Sequence, residues 1–289
     1  MLSFHTITLE DRERLLPLLL EKNRGMEYTF GNLYVYRHIY DTKVAYHEDG
    51  AIILFGKSGV FLMPLGKIDL ASIADELPCV QDGQLNFVCI TDEDTEILKR
   101  SFAERNIKVT PQQDGEYVYR SRDLADLTGK KYHSKRNNCS KFERLCPNYS
   151  FETITADNIQ EVISLNEAWY KEPGNSPEEL QEDYACTTGC LSDYEKLGLK
   201  GALLRCSGKA VAWCCGEMNS EGVFCTHVEK ALSLVEGDYA VINRDFARML
   251  ADEFEYINRE DDAGDEGLKK AKMSYHPAYI LNKNTVVIT

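Results

Sequence analysis

Phe4-His5-Thr6-Ile7-Thr8, near the start of the chain, returns as Phe151-Glu152-Thr153-Ile154-Thr155 near its middle. Each stretch leads into a polar turn and then an amphipathic helix. The first helix is expected over Asp11–Glu21, with Leu15, Leu18 and Leu19 inward. The second is expected over Asp157–Trp169, with Ile159, Val162, Ile163 and Leu165 inward. Thr8 and Thr155 are the expected caps, since a threonine hydroxyl can accept from the open N–H groups of a first turn. A repeat of this kind is the first thing to settle, because it sets the architecture.

The echo continues outward in the same order. A second helix follows in each half, Phe30–Tyr40 in one and Pro177–Leu197 in the other. Then come paired strands about a glycine-bearing turn, His47–Gly56 and Arg205–Gly216. A further strand opens with Gly59-Val60-Phe61 in the first half and Gly222-Val223-Phe224 in the second. Beyond these, the first half offers a strand at 86–90, a helix at 92–105 and a strand at 116–120. The second offers a helix at 238–253, a strand at 255–258, a helix at 265–275 and a last strand at 278–281. The pattern predicts an α/β (α+β) protein built by duplication. The expected division is an N-terminal domain at 1–128, a basic linker helix at 129–147 and a C-terminal domain at 148–289.

With 289 residues, 43% of them hydrophobic and 28% charged, the chain has the composition of a globular protein of about two domains. No apolar run approaches the ~20 residues that span a bilayer, and the N-terminus is charged, so the sequence predicts a cytoplasmic protein without membrane insertion. A net charge of −14 argues against coating nucleic acid by bulk attraction, though it allows a local basic groove. The ten cysteines are read as reduced thiols, mostly core residues. None forms a CxxC pair, so no metal is expected.

The element order resembles the N-acetyltransferase-like (GNAT) fold, used twice. More closely, the chain resembles the C-terminal catalytic domain of phosphatidylglycerol lysyltransferases and a family of bacterial proteins of unassigned activity that consists of that domain alone. The residues carrying this resemblance are Tyr28–Tyr34, Lys135-Arg136-Asn137-Asn138, Gly216-Glu217, His227–Lys230, Asn258-Arg259-Glu260-Asp261 and Gly267–Lys272. It implies aminoacyl transfer from a tRNA-borne or other activated ester.

Four segments carry candidate chemistry. The basic stretch Lys130–Arg144 has an apolar face of Tyr132, Cys139, Phe142 and Cys146 on which Arg136 also falls, while Lys131, Lys135 and Lys141 are expected to point outward, toward phosphates of a tRNA or of coenzyme A. With Asn138, Lys135 and Arg136 are substrate-binding candidates. At the strand-to-helix junction Leu234–Ala240, the resemblance implies a pyrophosphate site on Gly237, Asp238 and Tyr239. The usual glycine-rich signature is missing, and Glu236 and Asp238 repel an anion, which counts against acyl-CoA as donor. In the strand Val223–Lys230, simple alternation puts Cys225, His227 and Glu229 on one face. His227 is the candidate general base, with Glu229 or Glu217 orienting it. Lastly, Asn258, Arg259, Glu260, Asp261 and Lys272 are read as substrate contacts around an acidic turn, whose other acids cap the next helix. Tyr275 is the expected general acid by the resemblance.

The function expected is therefore acyl transfer, of an aminoacyl group in the first instance, to a soluble amine or hydroxyl acceptor of small size. Two rivals stand beside it: a non-catalytic GNAT pair that binds a small charged ligand or a tRNA, and an acetyl-CoA-dependent N-acetyltransferase.

Overall fold

His5–Thr6 and Ser150–Thr153 become edge strands of two separate seven-stranded sheets. The computed structural model describes residues 2–78, 83–172, 174–175, 178 and 180–289. The first half forms β1 (His5–Thr6), α1 (Arg12–Leu20), α2 (Phe30–Val35), α3 (Arg37–Tyr40), β2 (Thr42–His47), β3 (Gly50–Phe55), β4 (Val60–Phe61), α4 (Leu70–Ile73), β5 (Leu85–Ile90), α5 (Asp92–Ser101), β6 (Ile107–Pro111) and β7 (Glu116–Arg120). Helices α6 (Ser121–Asp126) and α7 (His133–Leu145) join the halves. The second half forms β8 (Ser150–Thr153), α8 (Ile159–Trp169), α9 (Gln181–Ser192), α10 (Tyr194–Leu197), β9 (Lys200–Cys206), β10 (Lys209–Ser220), β11 (Val223–Ala231), α11 (Asp238–Leu250), β12 (Tyr256–Asn258), α12 (Glu266–Met273), β13 (Tyr279–Leu281) and β14 (Asn284–Ile288).

The first sheet runs β1-β2-β3-β4-β5-β14-β6 and the second β8-β9-β10-β11-β12-β7-β13. Position by position these are the same sheet. Each contains one parallel pair, β4 with β5 and β11 with β12, at the same place. Each also receives its sixth strand from the other half of the chain. β7 enters the second sheet between β12 and β13, and β14 enters the first between β5 and β6. This is the tandem GNAT-like architecture, with one strand exchanged in each direction.

The exchange corrects two readings. Glu116–Arg120 is a strand as expected, but it lies inside the second sheet, not the first. The tail Asn284–Ile288, not read as a strand, lies inside the first sheet with Val286 and Ile288 buried. A short terminal run carries no sign of its distant partners. Two helices also differ. The one expected over Phe30–Tyr40 breaks at Tyr36, whose ψ of 0° leaves the helical range. The one expected from Pro177 forms over Gln181–Ser192, and Pro177 lies outside the described residues.

Two cores result. Along β10, Trp213 and Cys215 join the core shared with the first half, while Ala212 and Cys214 join the core under α6, α7 and α11. Alternation puts successive side chains on opposite faces, so a strand buried on both sides needs apolar residues at every position. The reading of all cysteines as thiols fails at one pair. Cys146, at the end of α7, is disulfide-bonded to Cys206, at the end of β9, across 60 residues of chain. Their proximity depends on how α7 crosses the second sheet, which spacing does not reveal. Cys89, Cys139, Cys186, Cys190, Cys214, Cys215 and Cys225 are free and buried. Among the described residues no helix is long and apolar enough to cross a membrane.

Candidate active site

β11 and β12 pair in parallel only over Val223–Cys225 and Tyr256–Asn258, and then they part. A cavity of about 1570 Å³ opens at that split. Thr226–Lys230 from β11 and Arg259–Ala263 after β12 line it, together with residues of α2, α7, α9, α11 and α12. Both halves of the chain contribute walls.

A bulge sets the geometry of β11. Val228 pairs with Cys215 and Thr226 with Gly216, so one step of β10 faces two steps of β11 and His227 is the extra residue. A bulge re-aims a side chain and reverses the alternation beyond it. Cys225 pairs across from Glu217, whereas Glu229 pairs across from Cys214 on the opposite sheet face. The expectation that Cys225, His227 and Glu229 share one face is therefore corrected. Strict period-two counting cannot see an inserted residue.

The His227 ring is buried between two carboxylates. Its Nε2 lies 3.0 Å from Glu217 Oε1 and its Nδ1 lies 2.7 Å from Glu260 Oε1. Ionised carboxylates only accept, so the ring donates from both nitrogens. Burial alone would favour the neutral ring, but Cys225, Glu217 and Glu260 outweigh it and raise the His227 pKa. Both carboxylates are themselves held by the first half. Glu217 accepts from Gly31 N–H at 2.6 Å, and Glu260 accepts from the Asn32 side chain at 3.1 Å. A Cβ at Gly31 would lie 2.4 Å from Glu217 Oε1, so a larger residue there displaces the Glu217 carboxylate. Cys225, His227 and Glu260 also bring ligand-type atoms within 4.8 Å of one another. Hydrogen bonds among the three account for that approach, and no metal is assigned.

The acidic turn is built from side chains folding back on their own backbone. Asn258 Oδ1 accepts from Glu260 N–H at 2.9 Å, and Glu260 takes a left-handed φ of 60°. Asp261 accepts from Ala263 N–H and Asp262 from Gly264 N–H, each at 3.0 Å. Asp265 caps α12 by accepting from Leu268 N–H. Asp262 is committed further, to the Tyr117 hydroxyl. Glu260 and Asp261 face the cavity, Glu260 paired with the His227 ring and Asp261, among the described residues, with no cationic side-chain partner. Burial and the nearby Glu260 raise the Asp261 pKa, against its hydrogen bond from Ala263.

A different wall is cationic. Arg259 pairs with Glu229 at 2.7 Å, and Glu229 also accepts from Asn243. The Lys135 ammonium sits 3.8 Å from the centre of the Tyr275 ring, with Arg259 5.0 Å from that same centre. Lys272 donates to the carbonyls of Arg259 and Asp261. Further along, buried Lys230 bonds Asp183 and the Tyr170 hydroxyl and lies 3.5 Å over the Trp169 ring. Lys230 belongs to the segment that carries the family resemblance, but its aromatic box of Trp169 and Tyr170 was not read from the sequence.

The α7 expectations are partly reversed. Lys135 turns into the cavity, and Arg136 does not: its guanidinium donates to the carbonyls of Leu127 and Gly129, fixing the chain that enters α7. Lys131 pairs with Asp123 and Lys141 with Glu236. Asn138 lines the cavity, and its backbone packs on Gly237. A Cβ at Gly237 would lie 2.2 Å from Asn138 O, and φ there is +101°. The N–H groups of Asp238 and Tyr239 are already engaged by Val235 O and the Asp238 carboxylate. Of the other sequence candidates, Glu217 and Asn258 sit behind the cavity wall as supports.

The family described as "Phosphatidylglycerol lysyltransferase, C-terminal" matches residues 20–286. The chain belongs to that family. A crystal structure of a conserved protein of unknown function from Bacteroides thetaiotaomicron shares 33% identity over the whole of both chains, with a TM-score of 0.92. L-PGS from Bacillus licheniformis superimposes with a TM-score of 0.64 at 17% identity, covering 96% of this chain and 91% of that one. The C-terminal domain of a putative lysylphosphatidylglycerol synthetase from Agrobacterium fabrum gives 0.65 at 14% identity, covering 96% and 92%. At those identities the last two establish the fold alone. No curated protein matches the chain.

Proposed function

We propose that this protein transfers an aminoacyl group from an activated ester of the aminoacyl-tRNA kind to a small amine or hydroxyl acceptor. The observation that carries the reading is the pair Glu260–Asp261, open to the cavity and braced by His227 and Asn32 from behind. Family membership adds aminoacyl transfer as the chemistry to expect.

The step is attack of the acceptor's N–H or O–H on the ester carbonyl. A new C–N or C–O bond forms, the ester C–O bond breaks, and the acceptor's proton reaches the departing sugar oxygen. Glu260 holds the aminoacyl ammonium, and Asp261 relays the proton, a task that a carboxyl with a raised pKa suits. His227, with both nitrogens committed, positions Glu260 and does not act as the free base. Tyr275, whose pKa burial raises, is a wall and not an acid. Cavity walls from both lobes supply the positioning that brings ester and acceptor together.

An acetyl-CoA reading draws little support, because Asn138 and Asp238 fill and cap the junction where a pyrophosphate would sit. A binding protein without catalysis is favoured by one observation, the absence of a free nitrogen on His227. The test is transfer of a radiolabelled aminoacyl group from charged tRNA to a panel of soluble amines and hydroxyl compounds. Transfer that disappears in Asp261→Asn supports the enzyme. Donor binding without transfer to any acceptor supports the binding protein.

A further inference from the structure

The cavity wall beneath α7 brings Lys135 and Arg259 together over the Tyr275 ring, with Lys272 on the carbonyls of Arg259 and Asp261 beside them. Arg259 Nη2 has Glu229, but Arg259 Nη1 is buried with no hydrogen-bond partner. Lys272 Nζ donates to two backbone carbonyls and lies 5.8 Å from the centre of the Tyr117 ring, with no carboxylate partner among the described residues. Lys135 Nζ meets only the face of Tyr275 and, among the described residues, has no carboxylate or other acceptor. Burial, and then Arg259, push the pKa of both Lys135 and Lys272 down. All three belong to a chain of net charge −14, in which acids are plentiful. Buried cations left facing one another destabilise a fold unless something compensates them.

We propose that Lys135, Arg259 Nη1 and Lys272 form a subsite for a phosphate group carried by a substrate. A phosphate offers several acceptor oxygens and a charge that matches this wall, and an Arg–Lys pair is well suited to hold it. Its assignment to a substrate rests on the transferase reading above. Two sources share this chemistry: the terminal nucleotide of the donor and a phosphate ester on the acceptor. The acidic pair Glu260–Asp261 lies on the same cavity, so the subsite sets how far the phosphate stands from the reacting carbonyl.

The test is calorimetric titration of the intact protein with adenosine 5′-phosphate, glycerol 1-phosphate and uncharged adenosine. Wild type is expected to bind the phosphates and not adenosine. Lys135→Gln is expected to weaken phosphate binding about tenfold, the scale of one lost charge-assisted contact, and to raise the melting temperature by relieving repulsion. Lys131→Gln, on the outer face of the same segment, should stay within about twofold of wild type, as expected for a solvated charge. Preference for the nucleotide assigns the subsite to the donor, and preference for glycerol phosphate assigns it to the acceptor. Failure of wild type to bind any phosphate overturns the proposal, as does equal loss in Lys131→Gln and Lys135→Gln. Phosphate binding that depends on Lys135 in a protein inactive with every acceptor sinks the transferase reading and leaves the subsite standing. Aminoacyl transfer indifferent to Lys135 does the reverse.

Discussion

Lys283 Nζ lies 2.6 Å from Glu116 Oε1, and each residue sits at the start of a strand that has crossed into the other lobe. Both are buried. Lys283 also holds Glu27, and Glu116 accepts from Met26 N–H and the Asn258 side chain. This cluster therefore pins the strand exchange, the first-half loop before α2 and the end of β12, the strand that leads into the acidic turn.

Lys283→Met is expected to cost about 3–5 kcal/mol, because it leaves two carboxylates without their cation in a buried site. Glu116→Gln should cost much less. Burial, offset by Lys283, puts the Glu116 pKa at about 7, since two carboxylates share one ammonium. A carboxyl raised in the folded state contributes stability below its unfolded pKa and loses it as pH rises through the folded value. Chemical denaturation of wild type against Glu116→Gln should thus show a gap that widens against wild type from about pH 4.5 to 7. A gap that is flat across that window refutes the assignment.

His227 should be doubly protonated at neutral pH. Its folded pKa is raised, so the stability it adds is complete below about 6.5 and fades as pH climbs through the higher folded value. Nitrogen NMR of the imidazole reads this directly. A neutral tautomer at pH 7 would contradict the arrangement with Glu217 and Glu260.

Gly31→Ala pushes a methyl group against Glu217, 2.4 Å from its Oε1. Transfer activity should fall by at least about tenfold through loss of the Glu217–His227–Glu260 alignment, with the melting temperature lowered only modestly. Gly31→Ala with undiminished turnover would show that Glu217 does not position the site.

Cys146→Ser removes a bridge that closes a loop of 60 residues. The expected loss is about 2–4 kcal/mol, read as an earlier denaturation midpoint under non-reducing conditions. Thiol counting should find two more reactive groups in the unfolded protein after reduction than before it. Equal counts would mean that the pair is not joined.

Much of the architecture was legible because repeats and periodicity are local. The echo of Phe4–Thr8 at Phe151–Thr155, the hairpins and the helix expected at 238–253, which forms over Asp238–Leu250, follow from spacing alone, and the two sheets share one order. Most of the predicted site residues also reach one cavity. Their roles were less legible. The sequence placed Lys135 outward, and α7 turns it into the cavity; Arg136 is half-buried as read, but it bonds the carbonyls of Leu127 and Gly129 and does not reach the cavity. It grouped Glu229 with His227, and one bulged residue separates them.

The sequence by itself determined that the chain is doubled, that its strands and helices alternate in a GNAT-like order, and that chemistry-bearing residues cluster after β10 and β12. Each of these rests on patterns within a few residues of one another. Only the tertiary structure decided that β7 and β14 change places, that Cys146 meets Cys206, and that His227 stands between Glu217 and Glu260. Those pairings join residues tens to hundreds of positions apart. Their geometry is set by register, bulges and strand parting, which depend on packing across both lobes and not on any local propensity.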